Sequence, residues 1–151
     1  AADPEVLVAI GDLSESAKLN TADIITIDWN STTADKSNGF TLGLTARWNE
    51  AVDVVEAGSG FKMIVNRTPD GGSAASHTLR YASGTGTNEL VFSLVIAGGS
   101  PVAALDSFAI IDQSLTFGGG ASCKDAGTAV TAEVVVTSAM RTAAGTLVAV
   151  A

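Results

Sequence analysis

Residues 81–94 read as strand, turn and strand, and no other stretch constrains the fold as much. Tyr81 closes one apolar run. Ser83-Gly84-Thr85-Gly86-Thr87-Asn88 is the small, polar punctuation of a turn. Leu90, Phe92, Leu94 and Ile96 then alternate with Val91, Ser93 and Val95. That period of two puts the bulky residues on one face of a strand. A hairpin or corner here sets the register of the strands around it. None of its side chains performs chemistry unaided, which points to a structural or binding module and away from an enzyme.

The rest of the chain repeats the pattern. Ile24-Ile25-Thr26-Ile27-Asp28-Trp29 is rich in β-formers and predicts a strand. Residues 30–39 form a polar loop ending in the turn signal Asn38-Gly39. Phe40, Leu42, Leu44, Ala46 and Trp48 alternate with polar or small residues, the clearest half-buried strand. Asn49-Glu50-Ala51 is expected to break it before a new run over residues 52–55. Phe61, Met63 and Val65 predict another strand, and Pro69-Asp70-Gly71-Gly72 has the chemistry of a loop tip. Residues 102–105 are expected as a helical turn or loop. Residues 108–111 and 115–117 read as two short strands, 130–136 as a late strand, and 147–150 as a terminal strand or arm.

No convincing amphipathic helix is present. The expectation is an all-β chain of roughly eight to ten short strands, an antiparallel sandwich. Its division is an N-terminal arm over residues 1–21, an Ig-like β-sandwich over 22–137 and a C-terminal strand or arm over 138–151.

With 151 residues there is room for one domain and a sizeable core. Lys and Arg number 8 against 16 Asp and Glu, a net charge of −8 that repels phosphate backbones, so no nucleic-acid partner is expected. Ala, Gly, Thr and Ser make up nearly half the chain, which suits close-packed β surfaces and subunit contacts. A hydrophobic content of 46% argues against disorder. Cys123 stands alone, so no disulfide forms within the chain, and a small buried residue is the expected role. No apolar run approaches the ~20 residues of a membrane helix, and no membrane partner is expected. The opening Ala1-Ala2-Asp3-Pro4 fits either loss of an initiator Met or cleavage of a signal.

Residues 1–22 differ from the rest. Asp3, Glu5, Asp12 and Glu15 surround one apolar cluster, Leu7-Val8-Ala9-Ile10. Such a tetrad needs a place to go, so an arm that reaches a neighbouring subunit is the functional reading, with a frayed terminus as the plainer one.

The order of motifs resembles the bacterial Ig-like modules found in tandem in large surface adhesins and in scattered phage structural proteins. The resemblance rests on Gly39-Phe40-Thr41-Leu42, on Leu44 running through Trp48-Asn49-Glu50-Ala51-Val52-Asp53-Val54, and on the 81–94 stretch. It closes with Gly118-Gly119 followed by Lys124-Asp125-Ala126-Gly127. It covers residues 22–137 and implies an Ig-like sandwich. The chain departs from the family where Ala97-Gly98-Gly99-Ser100-Pro101 lacks an acid and where Ser122-Cys123 is inserted.

Catalytic patterns are sparse. His77 is the only histidine, and no nucleophile elbow, H-E-x-x-H, Walker loop or dinucleotide fingerprint occurs. No catalytic residue, metal ligand or cofactor is therefore expected. Glu50 with Asp53, and Asp106 with Asp112, are carboxylate pairs of the type that binds Ca²⁺, or simply solvated acids at strand ends. Asn66-Arg67-Thr68 matches a glycosylation sequon. Trp29 and Trp48 suit core packing better than a sugar platform.

The function expected is a non-enzymatic phage virion protein, a capsid decoration protein on the capsid exterior. Its partners are the major capsid protein and sister copies, with a trimer natural at a three-fold axis. The residues expected to make those contacts are Leu7, Val8, Ile10, Leu147, Val148 and Val150. The alternative is an adhesin or carbohydrate-binding module at a bacterial cell surface.

Overall fold

The computed structural model describes residues 21–31, 34–35, 37–58, 60–69, 74–98, 102 and 105–150. Among the described residues nine strands are present: β1 (Ile24–Trp29), β2 (Ala34–Asp35), β3 (Gly39–Val55), β4 (Lys62–Thr68), β5 (Ala75–Ser83), β6 (Thr87–Ala97), β7 (Ser107–Thr116), β8 (Ser122–Asp125) and β9 (Thr146–Val150). One short helix, α1 (Ser138–Ala144), precedes β9. The chain is all-β in class. The strands follow a single path, β1-β3-β6-β5-β4-β7-β9-β2, and β8 adds to the far half of β3. The sheet is mixed: β2 runs parallel to β9, while the other strand pairings are antiparallel.

The path curls on itself at β5. This strand pairs with β4 from Ala75 to Arg80 and with β6 from Arg80 to Ser83. One strand thereby serves two halves of the sheet, which is how strands turn a corner between layers. The halves then face each other: Phe40 on β3 and Phe108 on β7 meet edge to face at 6.0 Å, although their strands do not pair. Leu42, Leu44, Trp48, Phe61, Met63, Leu79, Leu90 and Phe92 fill the space between and are fully buried.

The turn of the 81–94 stretch is fastened to β3. The Thr85 amide donates to the Tyr81 hydroxyl at 2.9 Å. The Val54 amide donates to Thr85 Oγ1 at 2.8 Å, and the Gly86 amide to the Val52 carbonyl at 2.8 Å. Gly84 sits at φ +118°, and a Cβ there would run into the Glu89 carbonyl, so the turn requires glycine. The Arg47–Glu89 pair crosses β3 and β6 at 2.8 Å, but both side chains are exposed and such pairs stabilise little.

Four sequence expectations change. β3 does not end at Asn49; it continues to Val55 through a bulge between Arg47 and Val52. Asn49 stays bonded there, its amide donating to the Asp23 carbonyl at 3.0 Å and its Oδ1 accepting from the Asp23 amide at 2.8 Å. The two strands expected at 108–111 and 115–117 are one, β7, with a register shift against β4. Residues 131–136 alternate, with Ala132 and Val136 inside and Thr131, Glu133 and Val135 outside, but Val130, expected on the inner side, is 45% exposed. They nevertheless form only a bridge, Thr131 to Lys124, flanked by the Asp125 amide donating to the Val130 carbonyl and the Ala132 amide to the Cys123 carbonyl.

The fourth change is α1. Thr137 caps its start, accepting from the Met140 amide at 3.3 Å, and Gly145 ends it at φ +67°. Seven residues do not hold a helix alone. Packing of Met140 and Ala144 on the core, and the Trp29 indole donating to the Gly145 carbonyl at 3.2 Å, fix it against β1 and β7. It bridges β1 and β7, two strands that do not pair with each other.

Candidate functional site

β9 has the alternation that a strand with one wet face requires. Leu147 and Ala149 are buried, while Val148 and Val150 point outward at 43% and 45% exposure. Leu105 lies alongside, 65% exposed. Its amide donates to the Ala149 carbonyl at 2.8 Å, and the Ala149 amide donates to the Asp106 carbonyl at 2.8 Å. Three large aliphatic side chains therefore share one end of the sheet in a chain that is otherwise acidic. Scattered single apolar residues on a surface are ordinary, but a strip of neighbours is the pattern of a contact site.

Leu105 also holds a left-handed backbone, φ +70°, which favours glycine. A non-glycine residue there costs on the order of 1–2 kcal/mol. The strained backbone is kept in place by the buried pair just beyond it. Arg67 Nη1 on β4 donates to Asp106 Oδ2 at 2.9 Å, and both side chains are almost wholly enclosed.

Of the residues singled out in the sequence, the structure brings Val148 and Val150 together on the outer face of β9 and turns Leu147 into the core. Leu7, Val8 and Ile10 lie outside the described residues. Leu105 was missed, because residues 102–105 carry no period and nothing in their composition marks a left-handed backbone.

The carboxylates have neighbours that the sequence did not point to. Asp106 faces Arg67, and the side chain of Asp112 lies outside the described ones. Glu50 neighbours Asp125, with Asp23 close by. Asp125 accepts from the Gly127 amide at 2.7 Å and the Thr128 amide at 2.8 Å. The Thr128 amide first, and the Gly127 amide with it, hold its carboxyl below the usual range against the opposing effect of burial. Glu50 is pushed the other way, first by desolvation and then by the Asp125 charge. Among the described residues no group of three or more His, Cys, Asp or Glu is placed to hold a metal ion.

The opposite shifts predict a pH signature. A carboxyl raised in the folded state destabilises that state at high pH, and the penalty disappears as pH falls through the folded value. Glu50→Gln should therefore raise the thermal midpoint at pH 7 and give little gain near pH 4. An equal gain at both pH values contradicts the assignment. Asp125 has the other sign: its contribution is present above 3.8 and is lost as pH falls below it.

His77 on β5 is half-buried beside Phe108, ring centres 5.7 Å apart. Desolvation, and then the Arg67 charge, keep its imidazole below its usual value and favour the neutral form. Cys123 is buried and its thiol is pushed up to about 12, chiefly by desolvation, which makes it a small core residue. Trp48 is fully buried and donates to the Glu133 carbonyl at 2.7 Å, a packing role.

No protein-family model matches the chain, and no curated protein or solved structure matches it at a significant level.

Proposed function

We propose that this chain is a non-enzymatic structural protein of a phage virion, a capsid decoration protein that binds the assembled head through the outer face of β9. The observation that carries the reading is the exposed aliphatic strip of Leu105, Val148 and Val150 at one end of the sheet. A strip of three side chains is too small for tight binding by one copy. A lattice offers the same site many times, and linked or neighbouring copies add their affinities. The net charge of −8 keeps free copies apart until an apolar partner surface is presented. The abundance of small residues fits a surface built for close contact.

Virions purified from the source should contain this chain at high copy, read by quantitative mass spectrometry. Recovery instead as part of a longer cell-wall polypeptide overturns the reading in favour of an adhesin module. A second measurement addresses the strip. Val148→Asp should weaken binding to assembled heads at least about tenfold, the loss expected for a central apolar contact. Leu105→Gly should weaken binding as well, yet raise unfolding free energy by about 1 kcal/mol by relieving the left-handed backbone. Stability gained with binding unchanged would show that Leu105 is no contact residue.

A further inference from the structure

β1 begins the strand path, so one of its edges has no strand partner among the described residues. An open strand edge is a template for another extended segment. α1 stands beside that edge and leaves a groove of about 360 Å³. Its walls are Ile25, Thr26 and Ile27 from β1 and Ala139, Met140 and Ala143 from α1. Ile25 is 47% exposed there. Thr26 Oγ1 is buried and has no hydrogen-bond partner. A buried hydroxyl in that state destabilises the fold, and supplying a partner removes the penalty.

The chain enters β1 from residues 1–20, which lie outside the described part. They carry Glu5-Val6-Leu7-Val8-Ala9-Ile10, an apolar and β-branched run of about the length of β1. Residues 11–23 join the two. A connection of that length reaches at most about 45 Å, whereas a six-residue strand such as β1 spans about 20 Å. The run can therefore fold back along the whole of β1. Being tethered, it meets the groove at an effective concentration in the millimolar range, far above that of a segment from another copy in dilute solution.

We propose that Val6-Leu7-Val8-Ala9-Ile10 of the same chain docks in the groove between β1 and α1, covering Ile25 and giving Thr26 Oγ1 a backbone partner. This makes Leu7, Val8 and Ile10 an intrachain contact. It stands independently of the virion reading, which rests on β9.

The test is disulfide trapping in the full-length chain. Leu7→Cys, Val8→Cys and Ala9→Cys are each combined with Ala143→Cys, so that both faces of the segment are sampled. Cys123 is enclosed and stays out of the exchange. On mild oxidation at least one pair should close within a monomer, read by non-reducing electrophoresis and intact mass. Disulfide-linked dimers as the main product overturn the proposal, because the segment then belongs to a neighbour. Free thiols in all three pairs overturn it too. Deletion of residues 1–11 should also speed amide exchange over residues 25–28 by about tenfold while the rest of the sheet is unchanged. Unaltered exchange at β1 counts against docking.

Discussion

Phe61→Ala is expected to lower the unfolding free energy by about 3–5 kcal/mol. Phe61 is fully buried just before β4, where the two halves of the curled sheet meet. Its ring stacks on Phe117 at 4.5 Å and on Tyr81 at 6.0 Å, and meets Phe92 edge to face at 5.0 Å. Its carbonyl accepts from the Tyr81 amide at 3.1 Å, so its backbone stays anchored when the side chain is removed. That anchoring limits collapse of the site, and a cavity that does not collapse gives the larger losses of this class. Aromatic pairs are worth about 0.5–1.5 kcal/mol each beyond the area they bury, and three are lost together. A domain of this kind holds a total of about 5–15 kcal/mol, so the variant approaches the limit of folding. Urea unfolding followed by tryptophan emission reads the change. Phe61→Leu keeps most of the volume and should cost less than half as much. Equal losses in the two variants would mean that strain, not a cavity, sets the effect.

The elements that the sequence makes legible are those whose alternation coincides with a pairing partner. The first half of β3 and β6 alternate and pair with each other, whereas β1 is legible from its β-forming composition, its burial broken by a register shift against β3. The turn after Tyr81 is legible because Gly84 and Gly86 hold positive φ, which few other residues adopt. Residues 130–136 show the limit of that signal. From Thr131 onward their alternation reports one wet and one dry side, although Val130 is exposed, and periodicity says nothing about how far pairing with a neighbouring strand extends. The bulge at Asn49 is hidden for a related reason. Asn49-Glu50-Ala51 reads as a break because its backbone partners, Asp23 and Ala126, are remote in sequence. α1 left a trace in Thr137 and Gly145, its caps, but seven residues between them carry too few apolar positions to show a helical stripe. Of the interaction face, Val148 and Val150 were legible from the apolar run they belong to. Leu105 was not, because its place depends on the ion pair of Asp106 with a strand 39 residues earlier.

That ion pair carries the second large effect. Asp106→Ala should cost about 3–5 kcal/mol, because it leaves the Arg67 guanidinium enclosed without this carboxylate. Removing both charges together is different. Arg67→Met with Asp106→Leu eliminates the desolvation of two ions and should lie within about 1–2 kcal/mol of the parent. A double-mutant cycle on thermal or urea unfolding separates the cases, and additive losses would show that the two side chains do not act as a pair. The consequence extends to the surface. The Asp106 carbonyl receives the Ala149 amide, and the Leu105 amide is given to the Ala149 carbonyl. Fixing Asp106 therefore fixes both the strained leucine and the end of β9. In the apolar double variant the packing is kept but the charged tether is lost, and Leu105 is free to leave its left-handed backbone. The double variant should thus fold nearly as well as the parent and still bind assembled heads less tightly. Loss of binding at nearly constant stability is the result that ties a buried ion pair to the exposed strip it supports.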